Sequence, residues 1–373
     1  MDKIVFYYGP KFDFLKLLPS DQHITTISEL AIYSDKKMRE HIFKIQSKRS
    51  EMPDKPEERL AIPCLVAFSE QYAAISDSAV QAFMSFIDQY DVETLYLQNP
   101  PEHIAAQFVN MHLPITTVKY EYRTISKDIL RTVNRTYSDT IVGQSEVLHK
   151  LLLSLYPLSR PGRNKPVVLL FYGPTGVGKS ETAQYLSSVV GQKLLRRQFS
   201  MFHSGEFASY LFGGRHTQSC LAKDLMERES SIILFDEFDK PNPVYHSAFY
   251  QLFDEGVYED RNYRADVENA VIICTSNYSS AQEAKEKLGA PLFARFDAVI
   301  KFDKLSGESV SVILRKKCAE MIDALTEEER GLIDAEALYQ ELRPQMDVLE
   351  NGRDINRFVR DAISERLLAA VLD

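Results

Sequence analysis

The chain has 373 residues, enough for two or three domains around a large core, and its apolar (45%) and charged (26%) fractions are ordinary for a soluble globular protein. A net charge of −9, with 13 Lys and Arg against 17 Asp and Glu in the first 124 residues, weighs against a protein whose main work is neutralising nucleic-acid phosphate. Four cysteines far apart in sequence set aside a disulfide scaffold, and no basic-then-apolar leader or apolar run of about 18 residues is present, so a cytoplasmic protein without a membrane span is expected.

Residues 1–124 read as a small α/β domain. Ile4–Tyr8 predicts a strand closed by Gly9–Pro10, and Cys64–Phe68 a second. Ala79–Tyr90 predicts a helix with Val80, Phe83, Met84 and Ile87 on one face. Thr94–Leu97 predicts a third strand stopped by Asn99–Pro100–Pro101, and Val118–Tyr122 a fourth. Lys44–Arg59 is charged, holds two prolines and reads as a surface loop or lid. This domain carries no recognisable chemistry and is expected to bind or dock. Residues 125–160 read as a polar connection, then Ile141–Val142–Gly143–Gln144, then a helix with Val147, Leu148, Leu151, Leu152 and Leu155 on its apolar face. Residues 306–373 read as helical, with apolar spacing over 309–325 and 354–372. No internal repeat is visible.

The chemistry lies between these regions. The apolar run Val167–Tyr172 predicts a buried strand, and a helical pattern follows from Lys179 to Val190. Between them stands Gly173–Pro174–Thr175–Gly176–Val177–Gly178–Lys179–Ser180. Glycines at 173, 176 and 178 let backbone N–H groups turn onto phosphate oxygens, and the helix start adds its positive dipole end. Lys179 can reach the β- and γ-phosphates of ATP, and the Ser180 hydroxyl can ligate Mg²⁺. A second strand, Ser231–Phe235, ends in Asp236–Glu237, which suits a carboxylate holding Mg²⁺ beside one that polarises water. A third, Val271–Thr275, ends in Ser276–Asn277, where an amide can touch the γ-phosphate or position water. Cys274 reads as a small buried hydrophobe.

Taken together, these three strand ends resemble the AAA+ ATPases, and the finer match is to the Clp-type unfoldases and disaggregases. Ile141–Val142 with Gly143–Gln144 resembles the family's segment beside the adenine, Pro291–Asp297 the segment bearing the arginine finger, and Asn351–Gly352–Arg353 the sensor-two motif of the helical lid. The resemblance covers about residues 130–373. It implies an α/β P-loop NTPase fold with a parallel sheet core (125–305) and a C-terminal helical lid (306–373), preceded by the small α/β domain (1–124). It implies ATP and Mg²⁺ as cofactors, with Lys179, Ser180 and Asp236 on phosphate and metal, Glu237 activating water, and Asn277 as sensor one. It also implies Arg295 as a finger reaching into a neighbouring subunit and Arg353 as sensor two. A finger in trans implies a homo-oligomer, in most of the family a six-membered ring, remodelling a protein or protein complex.

The chain departs from the family in its pore-loop region, and the family's usual N-terminal substrate-binding domain and protease-docking motifs are not recognisable. The pore-loop region, here Tyr210–Ser219, is short and lacks Gly-Tyr-Val-Gly. Arg215, His216 and Thr217 fall at its tip, with Tyr210 and Phe212 as nearby aromatics or as core. Tyr258 and Tyr263 fall in the second pore-facing segment, Gly256–Arg264. Threading of polypeptide is thereby put in question, and an ATP-gated assembly switch that recruits a partner remains open. A nucleic-acid motor is disfavoured by charge, and a defence or signalling ATPase by the lack of a catalytic constellation in residues 1–124.

Overall fold

The computed structural model describes residues 1–47, 59–202, 204–215 and 217–372. The chain divides into two compact units: Met1–Tyr122 with Phe202–Glu229 and Gly256–Glu268, and Arg123–Met201 with Ser230–Glu255 and Asn269–Asp373.

In the first unit, β1 (Lys3–Tyr8), β2 (Ile24–Thr26), β3 (Ala61–Ala67), β4 (Asp91–Gln98) and β5 (Ile115–Lys119) form one parallel sheet in the order β2-β3-β4-β1-β5. Successive side chains of a strand face opposite ways. Ile4, Phe6, Leu65 and Leu97 accordingly pack with Phe83 and Phe108 on one face, while Val5, Tyr7, Cys64, Val66 and Tyr96 pack with Phe14 on the other. The helix expected over Ala79–Tyr90 is two short helices, Asp77–Gln81 and Phe83–Ile87. Ala82 between them leaves the helical region at φ −116°, ψ 41°. Gln107 bridges the break: its Oε1 accepts from Met84 N at 3.1 Å and its Nε2 donates to Val80 O at 3.0 Å. Periodicity alone does not reveal such a break, because the apolar face continues across it. The fourth strand lies at Ile115–Lys119 rather than 118–122, and a helix not foreseen from sequence runs Ile27–Ser47. Lys44–Ser47 is thus helical, and most of the expected loop, residues 48–58, lies outside the described residues.

The first unit also holds β9 (Val257–Glu259) and β10 (Arg264–Asp266), an antiparallel hairpin, and the helices Ser204–Phe212 and Leu221–Met226.

The second unit is built on a five-stranded parallel sheet of β6 (Val167–Tyr172), β7 (Leu195–Gln198), β8 (Ile232–Asp236), β11 (Val271–Ser276) and β12 (Ala298–Lys301), in the order β12-β6-β11-β8-β7. β6, β8 and β11 are buried along their whole length, which is why each reads as an unbroken apolar run. Residues 127–140, read as a polar connection, form a helix capped by Ser126, whose Oγ accepts from Ile129 N at 3.2 Å. Its buried stripe is only Val133 and Tyr137, flanked by Ile129 and Leu130, so polar residues outnumber it. The C-terminal helices Gly307–Asp323, Ala335–Leu342 and Gly352–Leu372 close around a core of their own that includes Leu314, Cys318, Leu338, Ile355 and Val359. No helix among the described residues is long and apolar enough to cross a membrane.

Candidate active site

The C-terminal ends of β6, β8 and β11 meet at one cleft of the second unit. Among its lining residues are Lys179, Ser180, Asp236, Glu237, Asn277 and Arg353, so six side chains expected on chemical grounds, spread over 175 positions, converge. The phosphate loop follows β6. Gly173 (φ 135°), Gly176 (φ 71°) and Gly178 (φ 108°) all occupy the region that favours glycine. Gly178 caps the helix Lys179–Val190, whose free N–H groups face the loop.

Lys179 lies inside the loop. Its Nζ donates to Gly173 O at 2.6 Å, Pro174 O at 2.5 Å and Asn277 Oδ1 at 3.3 Å. Burial lowers its pKa to about 8; Asp236, Asp239 and Glu181 pull the other way, and the Arg353 cation adds to the depression. A buried cation whose partners are mostly neutral carbonyls is prepared to gain from an incoming polyanion. Ser180 Oγ donates to Asp236 Oδ1 at 3.1 Å. A hydroxyl and a carboxylate this close are the oxygen donors that Mg²⁺ takes when phosphate and water supply the rest, so these residues fit the ion.

Thr275 sets the geometry of Asp236–Glu237. Its Oγ1 donates to Asp236 Oδ1 and accepts from Glu237 N at 3.0 Å, while its carbonyl accepts from Phe238 N at 2.8 Å. Glu237 is held at φ 57°, unusual for a residue with a side chain, and this turns its carboxylate into the cleft. Two residues that sequence reasoning missed complete the surroundings. Arg196 Nη2 donates to Asp236 Oδ2 at 2.5 Å, and Gln198 Nε2 donates to Glu237 Oε2 at 3.3 Å. Both lie on β7, a short polar edge strand whose pattern gave no strand signal.

The helix Gly352–Leu372 starts against the glycine-rich loop. Gly352 N donates to Gly176 O at 2.8 Å, and Asn351 Oδ1 caps the helix by accepting from Arg353 N and Asp354 N at 3.0 and 3.1 Å. That cap delivers Arg353 to the cleft. Ile141 is buried, and a Cβ on Gly178 would stand 3.2 Å from it; Val142 is half-buried. Gln144 bonds Val177 O and both backbone groups of Asp303, tying this turn to the loop.

Arg295 is not among the lining residues. Its Nε donates to Asp254 Oδ2 at 2.8 Å, and its guanidinium stacks 4.1 Å over Tyr250. Of the other candidates, Tyr210 is buried and donates to Asp224 at 2.5 Å, while Phe212 is 48% exposed. Tyr258 and Tyr263 are buried in the first unit, Tyr258 donating to Leu211 O at 2.7 Å. Arg215 is exposed, and His216 lies outside the described residues.

Residues 164–327 match the family described as AAA domain (Cdc48 subfamily). A ClpA homolog protein of Fuscovulum blasticum is 30% identical over 292 residues, 66% of this chain and 36% of that protein. The ATP-dependent Clp protease ATP-binding subunit ClpC of Staphylococcus saprophyticus is 24% identical over 65% of this chain and 36% of its own length. The chaperone protein ClpB of Mycoplasmoides gallisepticum is 24% identical over 56% and 32%. The chain thus spans about a third of the length of these curated relatives. A closed-state reconstruction of Hsp104 with ATPγS and FITC casein has a TM-score of 0.58 at 13% identity, covering 99% of this chain and 88% of that one, a likeness of fold. Residues 164–327 thus match an AAA domain, the strand-end residues of that stretch assemble at a single cleft, and the chain is similar to Clp proteins over 56–66% of its length.

Proposed function

We propose that this chain binds and hydrolyses ATP with Mg²⁺ and uses the cycle, as a homo-oligomer, to remodel a protein or protein complex in the cytoplasm. The observation that carries the reading is the convergence of Lys179, Ser180, Asp236, Glu237, Asn277 and Arg353 on one cleft between the sheet and the lid helix. Ser180 and Asp236 would hold Mg²⁺, which would supply positive charge against the phosphate oxygens. Lys179 exchanges its carbonyl contacts for phosphate oxygens. Glu237 accepts the proton of the attacking water, and Asn277 orients that water or the γ-phosphate. Arg353 brings positive charge from the lid, so closure and phosphate binding favour each other. Arg295, paired with Asp254 on its own chain, is the candidate finger for a neighbouring subunit. In domain terms, residues 125–305 are the ATPase core, 306–373 its lid and 1–124 a docking module.

That the client is a protein is supported by relatives named as chaperones and as the ATP-binding subunit of a protease. A second reading, ATP-gated assembly without threading, is favoured by the burial of Tyr258 and Tyr263, which leaves the second candidate gripping segment without an exposed aromatic. Phosphate release by the purified chain with Mg²⁺ and ATP tests the first claim: turnover that Lys179→Ala abolishes supports it, and turnover retained in that variant refutes it. An unfolding assay on a tagged fluorescent protein separates the two outputs. Client unfolding that Arg215→Ala stops, with hydrolysis intact, supports threading; hydrolysis without unfolding supports the switch.

A further inference from the structure

Counted within its own sheet, each unit has the same strand order. The first sheet reads β5-β1-β4-β3-β2 from one edge, and the second reads β12-β6-β11-β8-β7; both are fifth-first-fourth-third-second, and both are wholly parallel. The registers agree as well. Leu97 pairs with Phe6 and Ala67, as Cys274 pairs with Leu170 and Phe235. That correspondence places Tyr8–Gly9–Pro10 on Tyr172–Gly173–Pro174, the same three residues at the same strand exit.

Details beyond the register repeat too. Tyr120 N donates to Tyr8 O at 2.9 Å, as Phe302 N donates to Tyr172 O at 2.8 Å, each from the residue after the fifth strand. A Cβ on Gly9 would stand 2.5 Å from Tyr120, and a Cβ on Gly173 2.2 Å from Phe302 O. Two glycines are thus required for the same reason, close approach of the fifth strand's exit.

The chemistry is what the first copy lacks. Phe68 stands where the second unit has Asp236, Ser69 where it has Glu237, and Pro100 where it has Asn277. Instead of Thr175–Gly178, a helix begins at once with Lys11. The Gly173 carbonyl accepts from the Lys179 cation; the Gly9 carbonyl accepts from the neutral amides of Gln98 and Asn99, each at 3.0 Å. Gln98 and Asn99 are fully buried, and Asn99 Oδ1 also accepts from Gly9 N at 2.9 Å. The space for a phosphate cradle is filled by side chains.

In open parallel sheets the carboxyl ends of the strands are the ligand edge. Here that edge carries the hairpin β9–β10. Glu102 N, after β4, donates to Asn262 O at 2.8 Å, and Lys119, ending β5, pairs with Asp266 at 2.8 Å. Arg228, buried, stacks 3.9 Å over Tyr122 and donates to Asp266 O at 2.9 Å. We propose that the first unit is a second, catalytically silent copy of the ATPase fold, whose nucleotide edge holds the chain's own 256–268 hairpin instead of a nucleotide.

Two measurements on the full chain test this. Equilibrium binding of a non-hydrolysable ATP analogue should give one site per chain in the wild type and none in Lys179→Ala. A site retained in Lys179→Ala, or two in the wild type, overturns the silent copy. Hydrogen exchange reads the hairpin. Lys119→Glu, a surface change that leaves the fold intact, should raise exchange over 257–266 about threefold, the scale of one exposed ion pair, and Lys119→Glu with Asp266→Lys should bring it back. Unchanged exchange in the single variant, or no recovery in the swap, overturns the docking.

Discussion

Glu237, the proposed general base, shows how a backbone conformation aims a side chain into a cleft. A φ of 57° is held there by Thr275, which fastens Glu237 N through its hydroxyl and Phe238 N through its carbonyl. Strain of this kind costs of order 1–3 kcal/mol and persists only where neighbours over-determine it. Glu237→Gln keeps the size and the turn but removes the proposed base. We expect ATP affinity within about threefold of wild type and turnover reduced by roughly 10²–10⁴, the usual worth of a positioned general base. Separate measurement of nucleotide binding and phosphate release checks this; hydrolysis at the normal rate would reassign the base. Arg353→Ala should weaken ATP binding and leave the lid core unaltered, since its cap rests on Asn351 rather than on its own side chain. A thermal melt beside a binding titration distinguishes the two effects. At this scale the sequence motifs named residues that the structure brings to one cleft. It was silent on Arg196 and Gln198, because their importance arises only where β7 runs alongside β8.

Among the elements, the phosphate loop depends on β12 as much as on its own glycines. A Cβ on Gly173 would fall 2.2 Å from Phe302 O, a backbone atom that cannot swing aside. Gly173→Ala should destabilise the protein by about 2–4 kcal/mol, combining positive-φ strain with overpacking, and should abolish ATP binding. Gly162, at φ 89° with open space around it, is the control: Gly162→Ala should cost only about 1 kcal/mol. Chemical denaturation of both variants measures the difference, and equal losses would remove the steric argument. The buried strands β6, β8 and β11 were legible as apolar runs because both faces are covered. The helix Lys127–Thr140 was not, because one narrow apolar stripe among polar residues carries little pattern. The break at Ala82 was invisible for a different reason: Gln107, from another helix, supplies the hydrogen bonds that make it tolerable.

For the whole molecule, the proposed homo-oligomer carries the prediction with most consequence. Arg295 is engaged with Asp254 and Tyr250 and lies outside its own chain's cleft lining. If it serves a neighbour, Arg295→Ala should retain ATP binding and lose at least about 10³-fold in turnover. Mixing it with Lys179→Ala should restore part of the activity, because some interfaces then join an intact loop to an intact finger. No recovery at any mixing ratio would rule out the trans role.

What the amino-acid order determined by itself was local: apolar runs long enough to be buried strands, and a glycine loop between strand and helix. A carboxylate pair and an amide at strand ends complete that set. Each depends on a few consecutive residues, and backbone conformation or burial reads it directly. What only the tertiary structure decided was which distant pieces stand together. The two sheets share a strand order although their sequences share little more than Tyr-Gly-Pro, because topology and register are properties of hydrogen-bond pairing and tolerate almost any apolar side chain. Phe202–Glu229 and Gly256–Glu268 join the first unit although they interleave in sequence with the second. Pairings such as Lys119 with Asp266 span 147 positions, and no local pattern encodes them.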